Sequence, residues 1–215
     1  MTPKQPLLTE AEALAVRSAV ERAEALSGAE IVPVVVPASE GYELATWKGA
    51  ALGALTGLLV AALAAWLRTR WGLAAAELLL PPAVGALVFA LAARWSPVRR
   101  RLIGRAGLET TVEGAAWEAF VRHEVFATRD RTGLLIYVSL AEHQVAILAD
   151  SGIHPKIPQR EWNDLARSIG ISMRELAPGA ALLAAVERAG EVLSARGPAR
   201  RPDDANELPD APVAG

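Results

Sequence analysis

Two apolar stretches that lie close together decide how this chain is organised. Residues 49–67 read GAALGALTGLLVAALAAWL without a charge, and residues 71–93 read WGLAAAELLLPPAVGALVFALAA with Glu77 as the only charge. At about 1.5 Å per helical residue the first stretch is roughly 28 Å long, close to the hydrocarbon thickness of a bilayer. The sequence therefore predicts a transmembrane hairpin over residues 47–95, with spans at about 49–67 and 71–93. The alternative is a pair of core helices in a soluble protein.

Tryptophans and basic residues mark the ends of both stretches. The four tryptophans at the predicted membrane boundaries are Trp47, Trp66, Trp71 and Trp95, and an indole ring is well accommodated at a membrane interface. The basic residues outside the hairpin outnumber those of its loop; they are Lys48, Arg94, Arg99, Arg100, Arg101 and Arg105, against Arg68 and Arg70. The positive-inside rule then predicts that the N- and C-terminal segments both face the cytoplasm.

Small residues recur along one face of the first span. Gly49, Gly53 and Gly57 are spaced by four, which permits close helix packing against the second span or against another copy of the chain. The expected partners are therefore the lipid bilayer and either a membrane protein or a homo-oligomer. An acid inside a span is a functional hypothesis by default. Glu77 lies near the loop, however, where pairing at the interface is the favoured interpretation over a transport role.

The segments on either side of the hairpin predict one split α/β domain. A capping box at Thr9 and Glu12 starts a helix, and residues 31–36 form a strand in which Pro33 favours an edge or a bulge. After the hairpin we expect a helix over 111–126, a β-hairpin over 134–149, and helices over 158–168 and 178–193. Residues 1–46 and 96–196 then share a small sheet flanked by helices, and residues 197–215 are predicted to be a disordered tail.

Several functional classes are excluded or weakened by composition. The chain has no cysteine and a formal net charge of -2, so it lacks thiolate chemistry and the basic field of a nucleic-acid-binding protein. His123, His143 and His154 have no metal-ligand spacing, and neither Ser139 nor Ser151 lies in a nucleophile elbow. No catalytic residue is assigned.

Two acids at strand ends are the candidate metal ligands. Glu30 precedes the first strand and Asp150 follows the last strand of the predicted hairpin. Hard cations such as Ca²⁺ or Mg²⁺ need several oxygens that converge, and adding Glu124 or Asp164 to this pair has no geometric basis in the sequence. The structural alternatives are a charge at a strand edge for Glu30 and a turn former for Asp150.

Several motifs in combination resemble the bacterial integral-membrane branch of the TPM-domain family. They are Ser27-Gly-Ala-Glu-Ile-Val, Thr132-Gly-Leu-Leu-Ile-Tyr-Val-Ser-Leu, Val145-Ala-Ile-Leu-Ala-Asp-Ser-Gly-Ile, Trp162 and Asn206-Glu-Leu-Pro. The resemblance implies a central sheet flanked by helices and a place in the bacterial inner membrane. It also implies acidic loop residues that bind divalent metal or support weak phosphatase activity in some relatives. We expect a binding or scaffolding module of unassigned activity at the membrane surface, with a divalent-metal-dependent phosphatase as the alternative.

Overall fold

The computed structural model divides the chain into two compact units. It describes residues 7–39, 43–67, 75–173, 176–203 and 205–215, with residues 43–45, 75–78, 96–97, 99–103 and 105–106 described by backbone only. The first unit combines residues 1–39 with 109–215, and the second comprises residues 40–108. The helices are α1 (Glu10–Ala25), α2 (Glu43–Leu67), α3 (Ala75–Ala93), α4 (Ser96–Arg122), α5 (Gln159–Ser172) and α6 (Pro178–Arg196).

The first unit is built on a mixed four-stranded sheet. Its strands are β1 (Glu30–Val36), β2 (Gly133–Ser139), β3 (Gln144–Ala149) and β4 (Val213–Ala214), in the order β3-β2-β1-β4. β1 is parallel to β2 and to β4, whereas β2 and β3 are antiparallel. The predicted α/β class and the predicted β-hairpin are confirmed. The strands carry apolar residues on both faces of the sheet, so helices cover both faces.

Each face of the sheet has its own hydrophobic core. Ile31, Val35, Leu134 and Ile136 face a core shared with α1, α5 and α6, in which Trp162 is fully buried. The opposite face packs against α4 through a second set of apolar residues, which comprises Val32, Val34, Val112, Ala116, Phe120, Leu135, Tyr137 and Leu148. Two-sided burial explains why β1 and β2 are apolar at nearly every position rather than at every second one.

Pro33 lies where one side of β1 has no partner strand. β1 pairs with β2 over its whole length, whereas β4 pairs with it only at Val34 and Val35. The Ile31 N–H and the Val35 carbonyl both point to the β4 side, so strand alternation directs the ring nitrogen of Pro33 to that side as well. β4 is too short to reach it. The proline therefore removes no ladder hydrogen bond.

The C-terminal segment is packed in this structure, which corrects the predicted disorder of residues 197–215. The Gly28 N–H donates to the Pro198 carbonyl at 2.9 Å, and the Gly215 N–H donates to the Val35 carbonyl at 3.0 Å. Leu208 is buried against the α4 side of the sheet. Polar composition alone predicted disorder, whereas one apolar anchor and a short strand pairing hold the segment on the sheet.

The second unit contains two apolar helices that run antiparallel. Gly53 faces the backbone of Gly85, Gly49 faces Phe89, and Gly57 faces the Pro81 carbonyl. Helix α2 contains one stretch, Thr46–Leu67, that is long and apolar enough to cross a membrane, and only 17% of it is buried; α3 contributes a shorter apolar stretch, Leu79–Ala93. The loop predictions at Arg68, Arg70 and Trp71, and the side chain of Glu77, lie outside the described part of the chain.

Helix α4 begins earlier than the predicted helix 111–126 and ends at Arg122. Its backbone leaves helical geometry at Gly104, which has φ of +74°. The left-handed region carries little steric cost for glycine because it has no Cβ. Gly104 therefore separates the first turns of α4 from the part that covers the sheet.

Candidate functional site

The two predicted metal ligands lie at the same end of the sheet, on either side of β2. Glu30 pairs with Gly133 in the parallel register, and the Asp150 N–H donates to the Gly133 carbonyl at 2.9 Å. Strand spacing places the Cα atoms of Glu30 and Asp150 roughly 10 Å apart, with Gly133 between them. Strand alternation puts all three residues on the α4 face. The sequence prediction thus brings two acids to one edge, separated by a strand.

The glycine between the two acids allows a backbone carbonyl to approach the sheet. A Cβ at Gly133 would lie 1.9 Å from the Val125 carbonyl oxygen, so no larger residue fits there without moving that carbonyl. Val125 belongs to the turn after α4, where Glu124 has φ of +51°. The Val125 carbonyl therefore occupies the space over Gly133, the residue that lies between Glu30 and Asp150 in the sheet.

Asp150 is held by an arginine. The Arg131 Nε lies 2.9 Å from Asp150 Oδ2, and Arg131 Nη2 donates to Oδ1 at 3.0 Å. The Ser151 N–H also donates to Oδ1, at 2.6 Å. Arg131 has φ of +58°, and its guanidinium stacks 5.7 Å from the centre of the Phe126 ring. Arg131 contacts both carboxylate oxygens of Asp150 and supplies the opposite charge that this buried group requires. A cation that bound Asp150 would therefore have to displace the guanidinium.

Glu30 belongs to a second environment, an acidic cleft between α1 and the C-terminal segment. Its carboxylate accepts a hydrogen bond from the Leu208 N–H at 3.3 Å and is almost fully buried. The cleft is lined by Glu21, Glu24, Ala25, Glu30, Arg200, Ala205, Asn206 and Asp210. Glu30 and Asp150 therefore have separate polar partners.

Glu24 is the most perturbed acid of this cleft. Its Oε1 accepts a hydrogen bond from the Ile31 N–H at 2.8 Å. Ile31 lies on the side of β1 that β4 would cover, but β4 does not extend that far. Burial, reinforced by the charges of Glu30 and Asp210, raises the pKa of Glu24 to about 8, although the hydrogen bond from Ile31 lowers it. Glu24 is therefore largely protonated at neutral pH. Sequence patterns carry no signal for this, because the charge and its burial meet only in the folded unit.

No group of three or more His, Cys, Asp or Glu side chains that could hold a metal ion occurs within the part of the chain that the structure describes. Glu124 lies in the turn after α4, and Asp164 pairs with Arg167 on the surface at 2.8 Å. The assignment of Glu30 and Asp150 as Ca²⁺ or Mg²⁺ ligands remains a prediction from the sequence.

The opposite end of the sheet carries a buried polar cluster that the sequence did not reveal. Ser39 Oγ donates to Ser139 Oγ at 2.9 Å and lies 3.3 Å from the Tyr137 hydroxyl. Ser139 in turn donates to Glu142 Oε2, which also accepts from the Ser39 N–H at 3.2 Å. Burial raises the pKa of Glu142, against the hydrogen bond from Ser39. Since Ser39 and Ser139 are almost fully buried, the cluster fastens the end of β1 to the β2–β3 hairpin.

The histidines are not grouped with either acidic site. His123 is half-buried at the end of α4, and burial together with the neighbouring Arg122 lowers its pKa. His143 lies in the β2–β3 loop with φ of +51°, and His154 is exposed in the turns after β3.

In the second unit the boundary tryptophans are exposed, whereas the glycines of α2 lie against α3. The described boundary tryptophans are strongly exposed, with Trp47 at 73%, Trp66 at 74% and Trp95 at 70%. Gly49, Gly53 and Gly57 instead all face α3, where a Cβ at Gly53 would lie 2.1 Å from the Gly85 carbonyl oxygen. The glycine face is thus used for packing within the chain.

Comparison with known proteins agrees with this α/β architecture. Residues 103–192 match the family model of the TPM domain. The match covers most of α4, the β2–β3 hairpin, α5 and α6 as far as residue 192, whereas α1 and β1, which belong to the same folded unit, lie outside it. A TPM domain is therefore present in the chain.

A solved structure shares the fold. The NMR structure of BA42 protein from the psychrophilic bacterium Bizionia argentinensis has a TM-score of 0.59 and 18% sequence identity, with 100% of each chain covered. At this identity the likeness establishes the fold alone. No curated protein matches the chain.

Proposed function

We propose that this protein is a membrane-anchored binding module, in which α2 and α3 form a transmembrane hairpin and the α/β unit lies at the cytoplasmic surface of the bacterial inner membrane. The observation that carries the proposal is the inverted packing of α2 and α3. Gly49, Gly53 and Gly57 of α2 lie against α3, while Leu59, Leu63, Leu80 and Leu87 are each more than half exposed. Lipid is as apolar as leucine, so such a surface is stable in a bilayer and costly in water.

Helix length and the ends of α2 agree with this interpretation. From Trp47 to Trp66 the helix rises roughly 29 Å, which is the thickness of a hydrocarbon core. Both indoles are exposed at opposite ends of the helix, as expected for side chains at the two interfaces. The basic residues that follow α3 favour a cytoplasmic position for the polar segments by the positive-inside rule.

A binding role is favoured over catalysis by the environments of the polar residues. Asp150 is held by Arg131, and the Ser139–Glu142 pair is buried under Ser39. These groups are engaged with partners inside the fold, whereas a metal-dependent phosphatase needs acids that are available to a phosphoryl group and a metal ion. The divalent-metal-dependent phosphatase is therefore the less favoured alternative.

Alkaline carbonate extraction of bacterial membranes tests the anchor. The chain should stay in the membrane pellet, and Leu59→Lys, in the middle of α2, should release a large fraction because a central lysine costs about 3 kcal/mol of insertion free energy. Leu14→Lys is the matched control, since Leu14 has similar exposure on α1 of the α/β unit. Release of the unmodified chain by carbonate would overturn the proposal.

Orientation can be measured separately, because the chain has no cysteine. Single cysteines replacing Thr69, in the hairpin loop that the sequence predicts, and Ser194 on α6 report the two sides with a membrane-impermeant maleimide. In intact cells we expect labelling at position 69 and none at position 194 until the cells are lysed. Labelling at 194 in intact cells would indicate that the α/β unit lies outside.

A further inference from the structure

One basic run of the sequence is not explained by the α/β fold. Residues 94–108 read RWSPVRRRLIGRAGL and contain five arginines and no acid. Four of these arginines fall within the seven residues 99–105. The positive-inside rule accounts for the orientation that such residues favour during membrane insertion, but the charges remain on the folded protein afterwards. Basic clusters of this size beside a transmembrane helix are typical of segments that bind anionic lipid.

The chain trace holds this run near the end of α3. Helix α3 ends at Ala93 and α4 begins at Ser96, so only two residues separate them. The Trp95 N–H donates to the Ala92 carbonyl at 3.0 Å, which keeps the connection tight. Three extended residue steps and the helical rise then put the Cα atoms of residues 99–101 within roughly 20 Å of the end of α3. The basic run therefore stays beside the end of the hairpin.

The start of α2 adds a further cation at the same end of the hairpin. A Cβ at Gly49 would lie 2.9 Å from the Ala93 Cβ, so this part of α2 lies beside the end of α3. Lys48 and Arg94 follow these residues along their helices and are both exposed, as is Trp95. Exposed cations next to an exposed indole are expected where a span reaches the headgroups. We call the set Lys48, Arg94, Arg99, Arg100, Arg101 and Arg105 the basic collar.

A break in α4 separates the basic collar from the part of the helix that covers the sheet. Gly104 has φ of +74° and interrupts the helix, so residues 96–103 form a separate segment of about two turns. This segment belongs to the same compact unit as α2 and α3, whereas the α/β unit resumes at Glu109. The basic collar is therefore a feature of the second unit alone.

The sequence around the basic collar favours a phosphate-bearing lipid as its partner. Between Glu43 and Glu109 the only acid is Glu77, which lies near the opposite end of α3. Guanidinium groups pair with phosphate oxygens through two parallel hydrogen bonds, and phosphates surround the end of any hairpin that spans a bilayer. Residues 96–108 contain no aromatic residue on which a base would stack, which disfavours single-stranded nucleic acid.

We propose that the basic collar binds the headgroups of anionic phospholipids at the cytoplasmic leaflet. This proposal rests on the proposed membrane anchor and names the class of lipid that the anchor selects.

Electron spin resonance of the full chain in phosphatidylcholine bilayers tests the proposal. The probes are phosphatidylglycerol and phosphatidylcholine with a spin label on one acyl chain, and the fraction of label immobilised by the protein gives their relative association constant. We expect the anionic probe to be favoured by about fivefold or more, the factor that one basic residue near an anionic surface contributes. The preference should shrink at 1 M salt, where the Debye length is about 3 Å. Equal association of the two probes overturns the proposal.

Variants of three arginines localise the binding. Arg99→Gln, Arg100→Gln and Arg101→Gln together should lower the preference to about twofold or less, because they remove half of the basic collar. Lysine at the same three positions keeps the charge and should retain most of the preference. The measurement does not depend on the orientation of the chain, since the labelled lipids occupy both leaflets. Loss of the preference in the lysine variant, or no loss in the glutamine variant, contradicts the site.

The matched control removes the same number of charges from the α/β unit. Arg160, Arg167 and Arg188 are exposed on α5 and α6. Arg160→Gln, Arg167→Gln and Arg188→Gln together should leave the lipid preference unchanged. A loss as large as that of the collar variant would show that the preference reflects net charge alone and would overturn the site.

Two soluble competitors identify other occupants. Inorganic phosphate, compared with sodium chloride at equal ionic strength, should leave the preference unchanged, and so should a single-stranded oligonucleotide at micromolar concentration. Loss of the preference with phosphate would identify free phosphate as the ligand, and loss with the oligonucleotide would identify nucleic acid; either result overturns the lipid site. Failure of the membrane anchor is recorded by carbonate extraction. A chain that stays in the membrane pellet and shows no lipid preference refutes this proposal alone.

Discussion

The two units use the same apolar residue types in opposite ways. In the α/β unit Leu134 and Leu182 are fully buried in the core, whereas in the helical unit Leu59 is 62% exposed and glycines of α2 lie at the contact with α3. The first arrangement is driven by removal of apolar surface from water. In the proposed membrane setting the second would gain its stability mainly from close backbone packing, because burying apolar side chains gains little where the surrounding solvent is itself apolar. The hydrophobicity of a residue alone therefore does not predict whether it is buried in either unit.

The largest expected contrast comes from truncating a leucine in each unit. Leu182→Ala should lower the unfolding free energy of the α/β unit by about 3 kcal/mol, because it leaves a cavity in the core. Leu59→Ala, on the exposed face of α2, should change helix packing little. Denaturant unfolding in detergent, followed by hydrogen exchange of β2 amides and of α2 amides, measures the two separately. Equal losses would show that α2 has a buried face that its exposure does not reveal.

A glycine substitution should give the next largest effect, confined to the helical unit. Gly53→Ala places a Cβ 2.1 Å from the Gly85 carbonyl oxygen, and overpacking of this kind costs about 2 kcal/mol. Faster hydrogen exchange in α2 and α3, with β2 unchanged, is the expected readout. The control is Gly114→Ala on α4, where a Cβ would meet nothing within 4 Å. If the amides of α2 and α3 exchange at the wild-type rate in the Gly53→Ala variant, the glycine contact is not what holds the helices together.

Stability of the α/β unit should depend on pH through Glu24. Its pKa is raised to about 8 in the folded unit from 4.5, so the folded state keeps a proton that the unfolded chain has released between these values. The free energy of unfolding should therefore fall as pH rises from about 5 to 8. Glu24→Gln keeps an acceptor for the Ile31 N–H and removes this slope, giving a gain on the order of 2 kcal/mol at pH 8.5 and little at pH 4. If the unfolding free energies of the two proteins depend on pH in the same way, the buried, protonated state of Glu24 is contradicted.

The smallest expected effect is that of divalent metal. Calcium or magnesium at millimolar concentration should shift the melting temperature by less than about 1 °C, because Glu30 and Asp150 are separated by β2 and Asp150 is engaged by Arg131. Calorimetry and thermal unfolding, with Glu30→Ala/Asp150→Ala as the comparison, measure this. A saturable increase that disappears in the double variant would contradict the expectation and make phosphatase assays worthwhile.

Local patterns predicted most of the α/β unit. The capping box at Thr9 and Glu12 forms as expected, and the β-hairpin has its four-residue loop at Leu140–His143. These features depend on residues a few positions apart. The short pairing of β4 with β1 and the anchor at Leu208 depend on contacts across the whole chain. Sequence patterns of period two or 3.6 carry no information about such contacts.

The candidate sites were less predictable than the fold for the same reason. Glu30 and Asp150 were chosen because they flank strands, and they do share an edge. The sequence could not reveal that Arg131 pairs with Asp150, or that Glu142 closes a buried cluster with Ser39. It also could not reveal that the Gln159 amide bonds the Ile147 carbonyl and the Ala149 N–H of β3. Each of these facts is a distance between residues that only folding brings together.

The parallel pairing of β1 with β2 has a consequence for the biogenesis of the protein. All of α2, α3 and α4 are synthesised between Val36 and Gly133. At 5–20 residues per second the ribosome therefore holds the first strand without its neighbour for on the order of ten seconds. During this interval the apolar strand EIVPVVV is an aggregation hazard in water. Pro33 has no N–H to donate at the centre of this strand, so it limits the pairing of the strand with other chains until β2 has been synthesised.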